Sequence, residues 1–200
     1  MLVIVIITAG FLTRPASLNP EQLPEHEPDP ANGRTLYFAA GCGSCHASSD
    51  SDSTLPLLEG GIELETEFGT FVAPNITPHE EEGIGAWSTL DFVNAMRFGV
   101  SPDNRHYYPS FPYASYQRMT LEDLVDLKSY LDTLPVSELP SAEHRLGFPW
   151  NLRRGIGLWK RFNLDPSFIV PVDESNASLL RGRYLVEGPG HCGEIGRAHV

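Results

Sequence analysis

Cys42-Gly43-Ser44-Cys45-His46 is the stretch on which the reading of this chain turns. It has the form C-x-x-C-H. Residues three and four apart share one face of a helical turn, so both sulfurs can bond the two vinyl groups of one porphyrin while the imidazole points at its iron. The chemistry is that of a covalently attached c-type haem, with Cys42, Cys45 and His46 binding the cofactor and His46 ligating the metal. Two rival chemistries need partners that the pattern lacks. A structural zinc site takes four ligands, and the one other cysteine, Cys192, lies far along the chain with no second cysteine beside it. A thioredoxin-type dithiol follows a strand in a βαβ pattern, whereas this motif follows a helical one.

Upstream, Asp29 reads as an N-cap with Pro30 at the first helical position, and the helix runs through Leu36, Tyr37 and Ala40 to stop at Gly41. Downstream, residues 47–77 scatter Gly, Ser and Pro without a helical period, so they read as loops with a short strand pair around Phe68 to Val72. Ser88-x-x-Asp91 opens a second helix that carries Phe92, Ala95 and Met96 on one face and ends at Gly99. Thr120, boxed by Asp123, opens a third, with Leu121, Leu124, Val125, Leu127, Leu131 and Leu134 before Pro135 closes it. Beyond Val136 the pattern loosens into an ordered connector, where Phe148, Trp150, Trp159 and Phe162 interleave with Arg153, Arg154, Lys160 and Arg161. Gly182-Arg183-Tyr184-Leu185-Val186 before Cys192 then echoes Gly33-Arg34-Thr35-Leu36-Tyr37 before Cys42, which points to a second copy of the first domain.

The sixth ligand of the iron decides the function, because a Met thioether favours electron transfer and an open position allows ligand binding or catalysis. The methionines are Met1, Met96 and Met119. Met96 sits on the apolar face of the second helix, where packing is its default role. Met119 lies just outside the Thr120 cap, on a loop free to swing to the open face of a haem, and His106 and His79 are the alternatives.

Several separate motifs occur in order between about Ala31 and Cys192. They are Gly33-Arg34-x-Leu36-Tyr37 before the C-x-x-C-H, Ala73-Pro74-Asn75-Ile76-Thr77-Pro78, Gly83-Ile84-Gly85-x-Trp87-Ser88, Phe92-Val93-x-Ala95-x-Arg97-x-Gly99, and His106-x-Tyr108-Pro109-x-Phe111-Pro112-Tyr113 through to Met119. In these the chain resembles the multi-haem cytochrome c subunits of periplasmic alcohol, fructose and gluconate dehydrogenases. The resemblance implies a class I cytochrome c fold, Met119 as distal iron ligand, Asn75 and Trp87 near the haem edge, and a flavin- or quinone-dependent dehydrogenase as electron donor. One departure stands out: Cys192-Gly193-Glu194-Ile195-Gly196 lacks the second Cys and the His of an attachment motif, so no second haem is held as written. The ending Glu194 to Val200 reads as foreign to a gene that continues past it.

The formal net charge of −12 and the acidic run Glu80 to Glu82 exclude a nucleic-acid-binding surface, which needs a basic stripe. Residues Leu2 to Leu12 are apolar and the following stretch to Pro30 is rich in proline, a signal or anchor followed by a tether. The expected organisation is therefore all-α: segment and tether at 1–30, a cytochrome c domain with loop-rich insertions at 31–139, a connector at 140–174, and an incomplete second cytochrome c domain at 175–200. The expected function is electron transfer by one covalently attached haem c, a second being held only in an intact gene product, with no substrate bond made. Its partners would be a dehydrogenase catalytic subunit and the respiratory chain, at a periplasmic site tethered to the membrane by the N-terminal apolar segment. The rival function is a haem oxidoreductase acting on a small sulfur compound or peroxide, which requires a displaceable distal ligand.

Overall fold

The helix expected ahead of the C-x-x-C-H turn opens the ordered domain in the computed structural model, which describes residues 1, 8, 10–48 and 55–197. Helix α1 spans Pro30–Ala39, and the Asp29 carboxylate caps it by accepting from the Ala31 and Asn32 amides at 2.8 and 3.2 Å. A five-residue turn, α2 (Cys42–His46), follows directly. Helices α3 (Thr89–Phe98), α4 (Tyr113–Tyr116) and α5 (Leu121–Leu131) complete the domain. The Ser88–Asp91 capping box forms in full. At α5 only half of the expected box forms: the Thr120 hydroxyl accepts from the Asp123 amide, while the Asp123 carboxylate accepts from the Tyr184 hydroxyl instead.

The core is the crossing of α1 with α5, and one missing side chain makes it close. A Cβ on Gly33 would lie 2.0 Å from the Asp126 carbonyl oxygen and 2.8 Å from the Tyr130 Cβ, so only glycine lets the two backbones touch. Beside that contact the buried Asp126 carboxylate accepts from His26 Nε2 at 2.7 Å, the Asp29 amide at 2.8 Å and Asn32 Nδ2 at 2.8 Å. Tyr37 and Tyr130 pack across the crossing with ring centroids 5.5 Å apart. Leu36, Phe92, Val93, Met96, Leu124 and Leu127 fill the space between α1, α3 and α5.

The all-helical expectation needs amending, for the chain is mostly helical with a small antiparallel sheet ordered β1 (Glu63–Thr66), β2 (Gly69–Val72), β3 (Arg145–Leu146). The expected strand pair around Phe68 to Val72 is β1 with β2, and β2 is its second strand. Its partners are the residues just before it and a short return from the connector, and that distant pairing leaves no local trace.

Within the connector, helix α6 spans Arg154–Asn163 without any side-chain N-cap. Its cations hold it in place by capping carbonyls of other elements. Lys160 Nζ donates to the Phe98 and Gly99 carbonyls at the end of α3, at 2.5 and 2.7 Å, and stands 4.5 Å from the Tyr113 ring centroid. Arg153 donates to the His106 carbonyl at 3.1 Å, Arg154 to the Gly10 carbonyl at 3.2 Å and Arg161 to the Leu12 carbonyl at 2.5 Å. Of the aromatic set, Trp150 meets Phe68 edge-on, while Phe148 and Phe162 are exposed.

These contacts bear on the N-terminal segment. Among the described residues no helix is long and apolar enough to cross a membrane, so the expected anchoring at a periplasmic site through Leu2 to Leu12 is corrected. The run is too short for a span of ~20 residues, and the carbonyls of Gly10, Phe11 and Leu12 at its end are bonded by arginines of α6. Residues 2–7 and 9 of the run lie outside the described residues.

Helices α7 (Ala177–Glu187) and α8 (Cys192–Arg197) repeat the order of α1 and α2, but not the packing. Gly182, the counterpart of Gly33, has no described atom within 4 Å of where its Cβ would stand. Instead α7 leans on α5: the Tyr184 hydroxyl donates to Asp123 and accepts from the Thr120 amide at 3.3 Å.

Candidate haem-attachment site

Gly41 separates α1 from the C-x-x-C-H turn in the left-handed region, at φ 61°, where a side chain would be strained. The reversal starts a new helical turn at Cys42 and delivers His46 to its far end. There His46 Nδ1–H donates to the Pro74 carbonyl at 2.8 Å. A carbonyl only accepts, so this bond fixes the tautomer and leaves the lone pair on Nε2, the form that ligates a metal. Burial lowers the basicity of His46 and the Pro74 carbonyl works against that shift; the net direction is down, toward the neutral imidazole. The turn is tied a second time by the Gly60 amide, which donates to the His46 carbonyl at 2.9 Å.

The wall behind the turn is apolar. Cys42 packs on the core cluster, and its burial pushes the thiol up to about 12. Tyr116 stands beside both cysteines, raised well above its ordinary pKa by burial and by Cys42, and its hydroxyl donates to the Ala40 carbonyl at 3.2 Å. Met119 is 1% exposed and belongs to the same cluster, its amide donating to the Tyr116 carbonyl at 2.9 Å. Met96 is in that cluster too, and Trp87 packs against it partly buried. Cys42, Met119 and Trp87 thus meet one apolar body. A porphyrin needs such a wall together with two thiols and a neutral imidazole, and the residues present supply all three.

The other sequence candidates are occupied elsewhere. His79 Nδ1 accepts from the Glu81 and Glu82 amides at 3.3 and 3.1 Å and so shapes its own turn. His106 Nε2–H donates to the Thr13 carbonyl at 2.9 Å, in the contact between α6 and the N-terminal segment. Asn75, 3% exposed, donates through Nδ2 to the Ser137 and Leu139 carbonyls at 2.9 and 2.8 Å and accepts at Oδ1 from the Thr77 amide and hydroxyl at 2.9 and 2.7 Å. Two donors and two lone pairs are thereby used. Sequence reasoning missed Tyr116 and the Pro74 carbonyl as parts of the site. The aromatic-rich run held the first without singling it out, and a backbone carbonyl has no residue signature.

A turn bearing two thiols and a carbonyl-oriented imidazole, set against the crossing of a first and a last helix, defines the class of small helical domains that hold haem covalently. Comparison with known proteins makes the assignment specific: the family model described as Cytochrome c matches residues 30–135, and the chain belongs to that family. It is 47% identical over 195 residues to a diheme cytochrome c-type protein of Cereibacter sphaeroides, covering 96% of this chain and 66% of that one. It is 34% identical over 193 residues to the fructose dehydrogenase cytochrome subunit of Gluconobacter japonicus, covering 95% and 39%, and 34% identical over 164 residues to the gluconate 2-dehydrogenase cytochrome c subunit of Pantoea cypripedii, covering 80% and 36%. The chain therefore spans between about a third and two thirds of the length of these relatives.

Proposed function

We propose that this chain is the electron-transfer cytochrome of a dehydrogenase, in which Cys42 and Cys45 would hold one haem c and His46 and Met119 would ligate its iron. The observation that carries the reading is the His46–Pro74 hydrogen bond, which presents Nε2 from the same turn that presents the two thiols. When bound, the haem supplies reversible one-electron exchange at its iron. The protein's part is to orient His46, to exclude water with Tyr116, Leu36 and their neighbours, and to offer the Met119 thioether from the buried wall. A thioether in that position favours electron transfer over ligand turnover. Trp87 would border the group, and Asn75 would act on it through the loop that carries Pro74.

Residues 140–174 connect this domain to α7 and α8, read as the start of a second domain of the same kind. The names of the relatives support a dehydrogenase catalytic subunit as donor and disfavour the sulfur- or peroxide-oxidising alternative. The test mixes the haem-loaded, oxidised protein with a purified fructose, alcohol or gluconate dehydrogenase and its substrate and follows the haem absorption. Reduction is expected. Failure with all three, together with rapid turnover of peroxide, would sink the reading.

A further inference from the structure

Asn75 and Thr77 form a polar contact in which the Asn75 side chain makes four hydrogen bonds, and holding a porphyrin does not by itself call for it. Their loop is already fixed on one side by backbone pairing: the Ile76 amide donates to the Leu58 carbonyl at 2.9 Å, and the Gly61 amide to the Ala73 carbonyl at 2.9 Å. On the other side Asn75 grips the Ser137 and Leu139 carbonyls, its own amide donates to the Ser141 hydroxyl at 2.9 Å, and the Ser137 amide donates to Thr77 Oγ1 at 3.2 Å. Pro74, the residue whose carbonyl holds His46, lies between the two grips. Its position relative to the imidazole is thus set from two directions, and one of them is the segment that leads from α5 into the connector.

We propose that the latch of Asn75 and Thr77 onto Ser137 to Ser141 is a positioning device that fixes the strength of the Pro74–His46 hydrogen bond and, through it, the reduction potential. The inference rests on the haem reading above. A carbonyl held close to Nδ1–H makes the imidazole a stronger donor, which favours the oxidised iron. Releasing the latch lets the carbonyl drift, weakens that donation and raises the potential. Among the described residues no hydrogen bond joins Asn75 or Thr77 to the thiols or the imidazole; they act through Pro74, whose carbonyl holds His46. The chain leaving the domain is thereby part of the tuning of the site.

The experiment compares haem-loaded Asn75→Leu, Thr77→Val and Ser141→Ala with the parent, with Thr77→Ser as the conservative control. It reads haem content, midpoint potential and the exchange rate of the His46 Nδ1 proton by NMR in the reduced state. The potential should rise in the order Ser141→Ala, Thr77→Val, Asn75→Leu, by up to about tenfold in the one-electron equilibrium constant, ~59 mV. Proton exchange should quicken in parallel, and Thr77→Ser should match the parent. Loaded variants whose potential and exchange both stay within about twofold of the parent would overturn the proposal even if their stability had fallen. If Asn75→Leu fails to load, Thr77→Val and Ser141→Ala decide on the same readings. A parent that takes up no haem removes the functional reading itself, a different result from a loaded series with a flat potential.

Discussion

Adding one methyl group at each of two equivalent glycines should have opposite effects. Gly33 and Gly182 occupy the same place in the repeated Gly-Arg-x-x-x pattern, and both lie inside helices. At Gly33 the new Cβ would stand 2.0 Å from the Asp126 carbonyl oxygen and 2.7 Å from its carbon. Both are backbone atoms of α5, so no rotamer change relieves the overlap and the helices must separate. Overpacking of this kind costs up to ~3 kcal/mol, against which the higher helix propensity of alanine returns ~1 kcal/mol. The net loss is ~2 kcal/mol. At Gly182 nothing described lies within 4 Å, so only the propensity gain remains. With an m-value of ~2 kcal/mol/M in urea, Gly33→Ala should lower the unfolding midpoint by ~1 M and Gly182→Ala should leave it equal or slightly higher. Equilibrium unfolding of the haem-loaded protein, followed by far-UV circular dichroism, measures both. A Gly33→Ala midpoint within ~0.2 M of the parent, or an equal loss at Gly182→Ala, would refute the close crossing of α1 and α5.

Asp126 should contribute to the acid sensitivity of the domain. Burial raises its pKa, but hydrogen bonds from Asn32, Asp29 and His26 outweigh burial and hold it below its usual value. Its contribution is therefore full above the unfolded carboxylate range of ~3.9 and is lost as pH falls through the depressed folded value. Asp126→Asn should start ~3 kcal/mol less stable at neutral pH and show a flatter acid limb, and denaturant titrations from pH 7 to 2 check this. Lys160→Met leaves the Phe98 and Gly99 carbonyls uncapped, a loss of ~2 kcal/mol in the docking of α6, so limited proteolysis should cut faster between Phe148 and Asn163. An unchanged cleavage rate would contradict the clamp. Met119→Ala should let the reduced protein bind carbon monoxide at neutral pH where the parent does not, and Met96→Ala should not; binding by the parent would exclude Met119 as a tight ligand.

What the sequence made legible was local. Asp29, Ser88 and Thr120 cap helices with atoms two or three residues away, so α1, α3 and α5 could be read from spacing alone. The C-x-x-C-H turn is equally local. Helix α6 was not legible, because it has two glycines in its first turn, no capping side chain, and cations whose partners at Leu12 and Phe98 lie far away in sequence. For the same reason β3 was hidden, since its register with Gly69 and Thr70 is set by the fold. Within the site, the motif named the thiols and the imidazole. The carbonyl that orients the imidazole and the saturated Asn75 latch appeared only once the loop was folded against the segment after α5.

Co-expression with a cytochrome c maturation system, followed by the intact mass and visible spectrum of the purified chain, tests the central claim most directly. One haem should remain bound after denaturation, with a Soret band, and Cys42→Ala combined with Cys45→Ala should abolish it. A colourless parent of polypeptide mass alone would contradict the assignment.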